Sequence, residues 1–94
     1  MKLAEKFYDT AMKVNPKMTL LMETYNTFMR LAERASERGV FAIGIKKKFY
    51  PSLSNEDFLQ ISEWAMDEGF RCYFSGTGEE ETFMISWKYT KNKI

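Results

Sequence analysis

The fold is decided by residues 53–70, which read LSNEDFLQISEWAMDEGF. Ser54 is a favoured N-cap residue, and Asp57, three positions later, can complete a short variant of the capping box. Leu53 and Phe58 occupy the two positions of a hydrophobic staple, which fixes how the chain enters a helix. This stretch therefore predicts a helix that begins just after Ser54.

The end of this helix is equally well marked. Gly69 suits the left-handed residue that terminates many helices, and Phe70 falls where the Schellman motif places its hydrophobic contact. Helical spacing of the apolar residues between the two ends predicts one buried side. That side consists of Phe58, Ile61 and Ala65.

Strand patterns lie on both sides of the helix. Residues 40–46 precede it, and residues 70–75 and 82–89 follow it, each with apolar side chains at alternate positions. Residues 76–81 contain two glycines and three glutamates, which predicts a flexible acidic turn and makes the last two strands a hairpin. On the first strand Ala42 and Gly44 are small, so we expect another element, such as a helix, to approach that face closely.

Two helices are predicted before the first strand. Residues 2–14 carry an apolar stripe at helical spacing, Asn15-Pro16 provides a helix end and a new helix start, and the second helix runs to about Arg38 before Gly39. The stripe of the first helix consists of Leu3, Phe7, Ala11 and Val14. The stripe of the second consists of Leu21, Tyr25, Phe28, Ala32 and Ala35. The pair forms an α-hairpin or packs at a steep angle.

The predicted fold class is therefore α+β, with element order ααβαββ. We expect a three-stranded mixed sheet with the third helix packed on it, the last strand at its centre, and an N-terminal helical pair. The 94 residues suit one domain, with the helical pair at 1–38 and a βαββ unit at 39–90.

Composition excludes several classes of function. The chain contains no histidine and a single cysteine, Cys72, which removes histidine catalysis, nearly every zinc site and any internal disulfide. Cys72 lies between Phe70 and Phe74 on a strand and is interpreted as a core residue. The net charge is +1, which argues against a nucleic-acid binder held by bulk electrostatics. We expect a cytoplasmic protein that is not an enzyme and has no cofactor and no metal.

Residues 39–87 resemble small proteins of tailed bacteriophages. The resemblance is carried by the strand Gly39-Val40-Phe41-Ala42-Ile43-Gly44-Ile45, the capped helix with its exit Asp67-Glu68-Gly69-Phe70, and the final Ile85-Ser86-Trp87. Characterised proteins of that kind often bind and block host components or sequester defence signals. The resemblance thus implies a non-enzymatic inhibitor or sponge in the host cytoplasm, and it does not cover the two N-terminal helices.

Two basic groups are candidate binding residues. Arg30, Arg34 and Arg38 form a stripe on the second helix that could grip an anion or an acidic partner, or could pair locally with Glu33 and Glu37. Lys46, Lys47, Lys48 and Tyr50 follow the first strand. These residues could hold a single-stranded nucleic acid by charge and stacking, or could simply protect the strand end and cover the core.

Methionines on the second helix indicate a candidate surface for a partner. Met18, Met22 and Met29 fall beside the inward stripe, so they could form an apolar surface for self-association or for a protein partner. Burial of both sides of the helix would explain them equally well.

Three functions follow from these patterns. The first is a non-enzymatic interaction protein, such as a phage-encoded inhibitor, that forms an oligomer through its N-terminal helices. The second is a small-ligand binder or sponge that holds a nucleotide-like anion as an oligomer. The third is a single-stranded nucleic-acid module, which the balanced charge disfavours. No membrane association is expected.

Overall fold

The computed structural model describes residues 2–88 and confirms the α+β class and the ααβαββ order. The helices are α1 (Leu3–Val14), α2 (Pro16–Glu37) and α3 (Asn55–Asp67), and the strands are β1 (Ala42–Lys46), β2 (Arg71–Ser75) and β3 (Thr82–Ser86). Short 3-10 turns occur at Lys47–Phe49 and Gly78–Glu80. The predicted strand position at Tyr89 lies outside the described residues.

The sheet has the order β1-β3-β2, so the last strand is central, as predicted. Both ladders are antiparallel, with Ile45 opposite Phe83 in one and Phe74 opposite the same Phe83 in the other. We expected a mixed sheet, because a helical crossover joins β1 to β2. These two strands do run in the same direction, but β3 lies between them and they never pair. The result is an antiparallel three-stranded sheet.

One face of the sheet carries the hydrophobic core. From β3, Phe83 and Ile85 are fully buried beneath α2 and α3, where Phe83 packs against Phe28 and Phe58 at ring-centroid distances of 6.2 and 5.4 Å. The buried cluster consists of Leu21, Phe28, Ile45, Leu53, Phe58, Ile61, Phe83 and Ile85. Its members come from α2, β1, the loop before α3, α3 itself and β3.

The opposite face of the sheet is not covered by a helix within the described residues. We expected another element, such as a helix, to approach Ala42 and Gly44 closely, and at Gly44 the close approach is made by β3 and not by a helix. Its missing Cβ would lie 3.0 Å from Met84 Sδ and 3.0 Å from Thr82 Cγ2, so the close neighbours are side chains of β3. Gly44 thus makes room within the sheet itself.

The ends of α3 follow the predicted pattern. The Ser54 hydroxyl accepts a hydrogen bond from the Asp57 N–H, and the Asp57 carboxylate accepts one from the Ser54 N–H, at 3.2 and 2.8 Å. At the other end the Phe70 and Gly69 N–H groups donate to the carbonyls of Ala65 and Met66, which is the Schellman arrangement. Local sequence therefore determines where α3 begins and ends.

By contrast, α1 contributes little burial. Leu3 and Phe7 are each 63% exposed and Val14 is 74% exposed. The amphipathic pattern of α1 is present, but its apolar side faces solvent.

No helix in the described part of the chain is both long and apolar enough to cross a membrane.

Candidate functional site

The lysines after β1 are paired with the acidic turn between β2 and β3. Lys46 Nζ lies 3.1 Å from Glu80 Oε1, and Lys47 Nζ lies 3.0 Å from Glu81 Oε1, with Lys48 Nζ 3.9 Å from Glu80 Oε2. The hydrogen bond from Lys46 and the charges of Lys46 and Lys48 hold the pKa of Glu80 below its ordinary value. These lysines therefore have internal counter-ions and do not form an isolated basic patch.

Lys47 and Tyr50 also connect this region to the core. Lys47 Nζ lies over the rings of Phe58 and Phe74, at 5.5 and 5.2 Å from their centroids, and also donates to Asn55 Oδ1. Tyr50 is half-buried, and its ring meets Phe28 edge-on at 5.3 Å. The Tyr50 ring therefore covers the end of the core, so little of it is offered to a stacked base.

The arginine stripe lies on the outer side of α2. Arg30, Arg34 and Arg38 are exposed, and they project away from the side that buries Phe28 and Ala32. Within residues 2–88 none of the three arginines forms an ion pair with Glu33 or Glu37. Neither cleft described below contains an arginine.

The three methionines do not form one surface. Met18 and Met29 are half-buried against the core, whereas Met22 is exposed. Met22 and Met29 line two different clefts on the same side of α2.

The first cleft, called here the aromatic cleft, lies where α1, α2 and α3 meet. Tyr8, Tyr25 and Trp64 supply one aromatic residue from each helix around a volume of about 300 Å³. The Tyr25 and Trp64 rings stand at 71° with centroids 5.8 Å apart, so they form two walls of a corner. The remaining lining residues are Met22, Asn26, Asp67 and Glu68.

An ion pair joins α2 and α3 near their N-termini. The Asn15 side chain caps α2 by accepting from the N–H groups of Lys17 and Met18. Lys17 Nζ then lies 2.9 Å from the Asp57 carboxylate. Burial alone would raise the pKa of Asp57, but hydrogen bonds from Lys17 and Ser54 and the charge of Lys17 hold it below its ordinary value. This ion pair is a direct contact between α2, which carries Tyr25, and α3, which carries Trp64.

The aromatic cleft has a negative electrostatic character. Asp67 is the last residue of α3 and Glu68 follows it, where the helix dipole is already negative, and α3 has no basic residue in its last turn. Burial, followed by the negative charges of Glu68 and Asp67, raises the pKa of Tyr25. Neither carboxylate forms an ion pair within the described part of the chain. The cleft thus combines aromatic walls with two carboxylates that have no ion-pair partner among residues 2–88.

A second cleft continues along the same side of α2. Phe70 and Trp87 form its far wall, with ring centroids 6.1 Å apart at 86°, and Met29 and Ala32 belong to its α2 side. Its volume is about 410 Å³, and Glu33 and Ser36 complete the lining. Because its only charged lining residue among those described is Glu33, it is more apolar than the aromatic cleft.

Chemistry at Cys72 is disfavoured by its surroundings. Burial raises the pKa of its thiol to about 11, so the thiol stays protonated and weakly nucleophilic near neutral pH. Among residues 2–88 no group of three or more histidine, cysteine, aspartate or glutamate residues is placed to hold a metal ion. The aromatic cleft brings aromatic side chains and carboxylates together, an arrangement that suits binding.

The sequence interpretation missed this cleft. Tyr8 lies one position away from the α1 stripe, Trp64 lies beside the α3 stripe, and only the tertiary arrangement brings them together. One sequence signal was available, since Asp67 and Glu68 end a helix that has no compensating basic residue in its last turn.

Comparison with known proteins adds no further constraint on this site. No protein-family profile, curated protein or solved structure matches the chain.

Proposed function

We propose that this chain is a non-enzymatic protein-interaction module and that α1 is its docking helix. The supporting observation is the exposure of the α1 stripe, where Leu3, Phe7 and Val14 keep 63–74% of their surface in contact with solvent. Full burial of one such side chain stabilises a structure by about 1.5–3 kcal/mol, so a partner that covers the stripe gains a substantial driving force.

The core is formed without α1, which supports this role. Every residue of the buried cluster comes from the segment between Leu21 and Ile85, and the described side chains of α1 contribute none. A helix that the fold does not need for its core can have its apolar side covered by another protein at little cost to folding. Amphipathic helices that dock in this way use apolar positions at helical spacing, as Leu3, Phe7 and Val14 do.

In purified protein the expected partner for the stripe is a second copy of the chain. A helix of 12 residues is about 18 Å long, so contact between two α1 helices buries less than the roughly 1,600 Å² of a standard interface. Such an association is weak and depends on concentration. Blocking of a host or defence component, which the phage resemblance implies, belongs to the same proposal and would use the same surface.

The test is sedimentation velocity across a range from about 10 µM to about 1 mM, in which weak interfaces associate. We expect the wild-type protein to move from monomer toward dimer and Phe7→Asn to stay monomeric. Asp9→Asn is the matched control, because it places the same residue on the polar side of α1 and should associate as the wild type does.

Two results would contradict the proposal. The first is a wild-type protein that remains monomeric over the whole range. The second is equal association of Phe7→Asn and wild type, which would move the contact away from the α1 stripe. Far-ultraviolet circular dichroism of each variant checks that α1 remains helical, so a loss of association can be assigned to the stripe.

A further inference from the structure

A second binding site is indicated by the aromatic cleft, and the argument for it is independent of the role of the α1 stripe. The cleft brings together Tyr8, Tyr25 and Trp64 from three different helices. The faces of aromatic rings carry negative electrostatic potential, and they attract cations that come within about 6 Å of the ring centroid. Tyr25 and Trp64 meet at 71°, so a group in their corner can contact both rings.

The charges around the cleft favour the same kind of ligand. Asp67 and Glu68 belong to its lining and have no cationic partner among residues 2–88. Both lie at the C-terminus of α3, where the helix dipole adds further negative potential. A natural sequence normally places basic residues at such a helix end. A bound cation would relieve this unfavourable local electrostatics.

The lining also indicates what kind of cation would fit. A small metal ion or an unsubstituted ammonium group is strongly hydrated, and it would lose that hydration against walls made largely of Tyr, Trp and Met22. An alkylated ammonium group has an apolar outer shell and a diffuse charge, which suits aromatic walls with carboxylates at one side. A volume of about 300 Å³ is at the small end of ligand sites and suits a compact head group.

We propose that the aromatic cleft binds an alkylated ammonium group, held by Tyr25 and Trp64 and neutralised by Asp67 and Glu68. Two sources carry this chemistry, namely a free quaternary ammonium compound and a methylated lysine side chain.

The test is a titration of the full chain, followed by the indole N–H signals in a ¹H–¹⁵N correlation spectrum. The probes are choline and 3,3-dimethylbutan-1-ol, which has the same shape without the charge. The protein has two tryptophans, so Trp87 is an internal reference for Trp64. Choline is expected to shift the Trp64 signal and to bind about tenfold more tightly than the neutral alcohol.

A pair of variants tests the carboxylates. Asp67→Asn combined with Glu68→Gln is expected to weaken choline binding about five- to tenfold, because it removes both charges and keeps the shapes. Glu63→Gln is the control for a lost charge on an exposed residue of α3 outside the cleft. Both variants alter exposed side chains, and thermal denaturation confirms that they fold.

The source is tested by comparing choline with a short peptide that contains one trimethyllysine. Tighter binding of the peptide assigns the site to a protein side chain, and tighter binding of choline assigns it to a free compound. Any one of three results would overturn the proposal. These are equal binding of choline and the neutral alcohol, an unchanged choline affinity in the double variant, and the absence of a Trp64 shift. These results leave the association test of Phe7→Asn unaffected.

Discussion

Helices α1 and α3 have similar amphipathic sequences but very different surroundings. The apolar residues Phe58, Ile61 and Ala65 of α3 are completely buried, whereas Leu3 and Phe7 of α1 are largely exposed. In both helices the apolar positions recur at helical spacing. Periodicity therefore shows that a helix has an apolar side, and it does not show whether the same chain covers that side.

The largest difference between α1 and α3 is expected when one phenylalanine in each helix is truncated. Phe58→Ala should lower the free energy of unfolding by about 3–5 kcal/mol, because it leaves a cavity beneath Phe83 and Phe74. Phe7→Ala should change it by less than about 0.5 kcal/mol. Urea denaturation measured at low protein concentration provides both values.

Phe58→Leu is the fallback if Phe58→Ala does not fold. It should still cost more than Phe7→Ala, since it also leaves unfilled volume in the core. Similar losses at positions 7 and 58 would mean that α1 belongs to the cooperative core, which would remove the main support for its docking role.

The N-termini of α3 and α1 should also respond differently when a capping side chain is removed. Ser54→Ala removes the hydroxyl that accepts from the Asp57 N–H, and it should cost about 1 kcal/mol. In α1 the Glu5 side chain accepts from the Lys2 N–H at 3.2 Å, and Glu5→Ala should leave the unfolding midpoint nearly unchanged. Ser52→Ala, at an exposed position before the cap, is the control for a lost hydroxyl.

The third and smallest effect concerns pH. Because the folded pKa of Asp57 lies below its ordinary value of 3.8, the ionised carboxylate stabilises the fold at neutral pH. This stabilisation is present above about pH 4 and is lost as the pH falls from there through the folded pKa. The contribution is modest, since Lys17 is about half exposed and the pair is screened by solvent.

Urea denaturation at several pH values tests this dependence with two variants. Asp57→Asn should cost about 1 kcal/mol or less at pH 7, and its difference from wild type should shrink as the pH drops below about 4. Glu56→Gln is the control, because Glu56 also lies in the first turn of α3 but forms no ion pair in the described region. It measures the contribution of a carboxylate near the helix N-terminus without the Lys17 pair. A difference that is independent of pH would contradict the assigned role of Asp57.

Much of the fold could be predicted from sequence because its signals are local. Ser54, Asp57, Gly69 and Phe70 act on neighbours within a few residues, so their roles are readable without knowing the tertiary structure. The central position of β3 was also predicted, from its regular alternation of apolar and polar residues.

The candidate sites could not be predicted in the same way, because they depend on contacts between distant residues. Lys46 and Lys47 find Glu80 and Glu81 only because β1 pairs with β3 in the register that sets Lys46 opposite Thr82. The aromatic cleft similarly requires three helices to converge. Charge and aromatic content indicate that such residues are available, whereas the fold decides which of them meet.

The position of β3 has a consequence for how the chain acquires its structure. The strand at the centre of the sheet is the last one to be synthesised, and its ladder with β1 joins Ala42 to Ser86 across nearly half of the chain. Until β3 emerges from the ribosome, β1 and β2 have no partner strand and the core lacks Phe83 and Ile85. The sheet therefore cannot form before β3 is available, and a chain that stops before Thr82 leaves the edges of β1 and β2 open to aggregation.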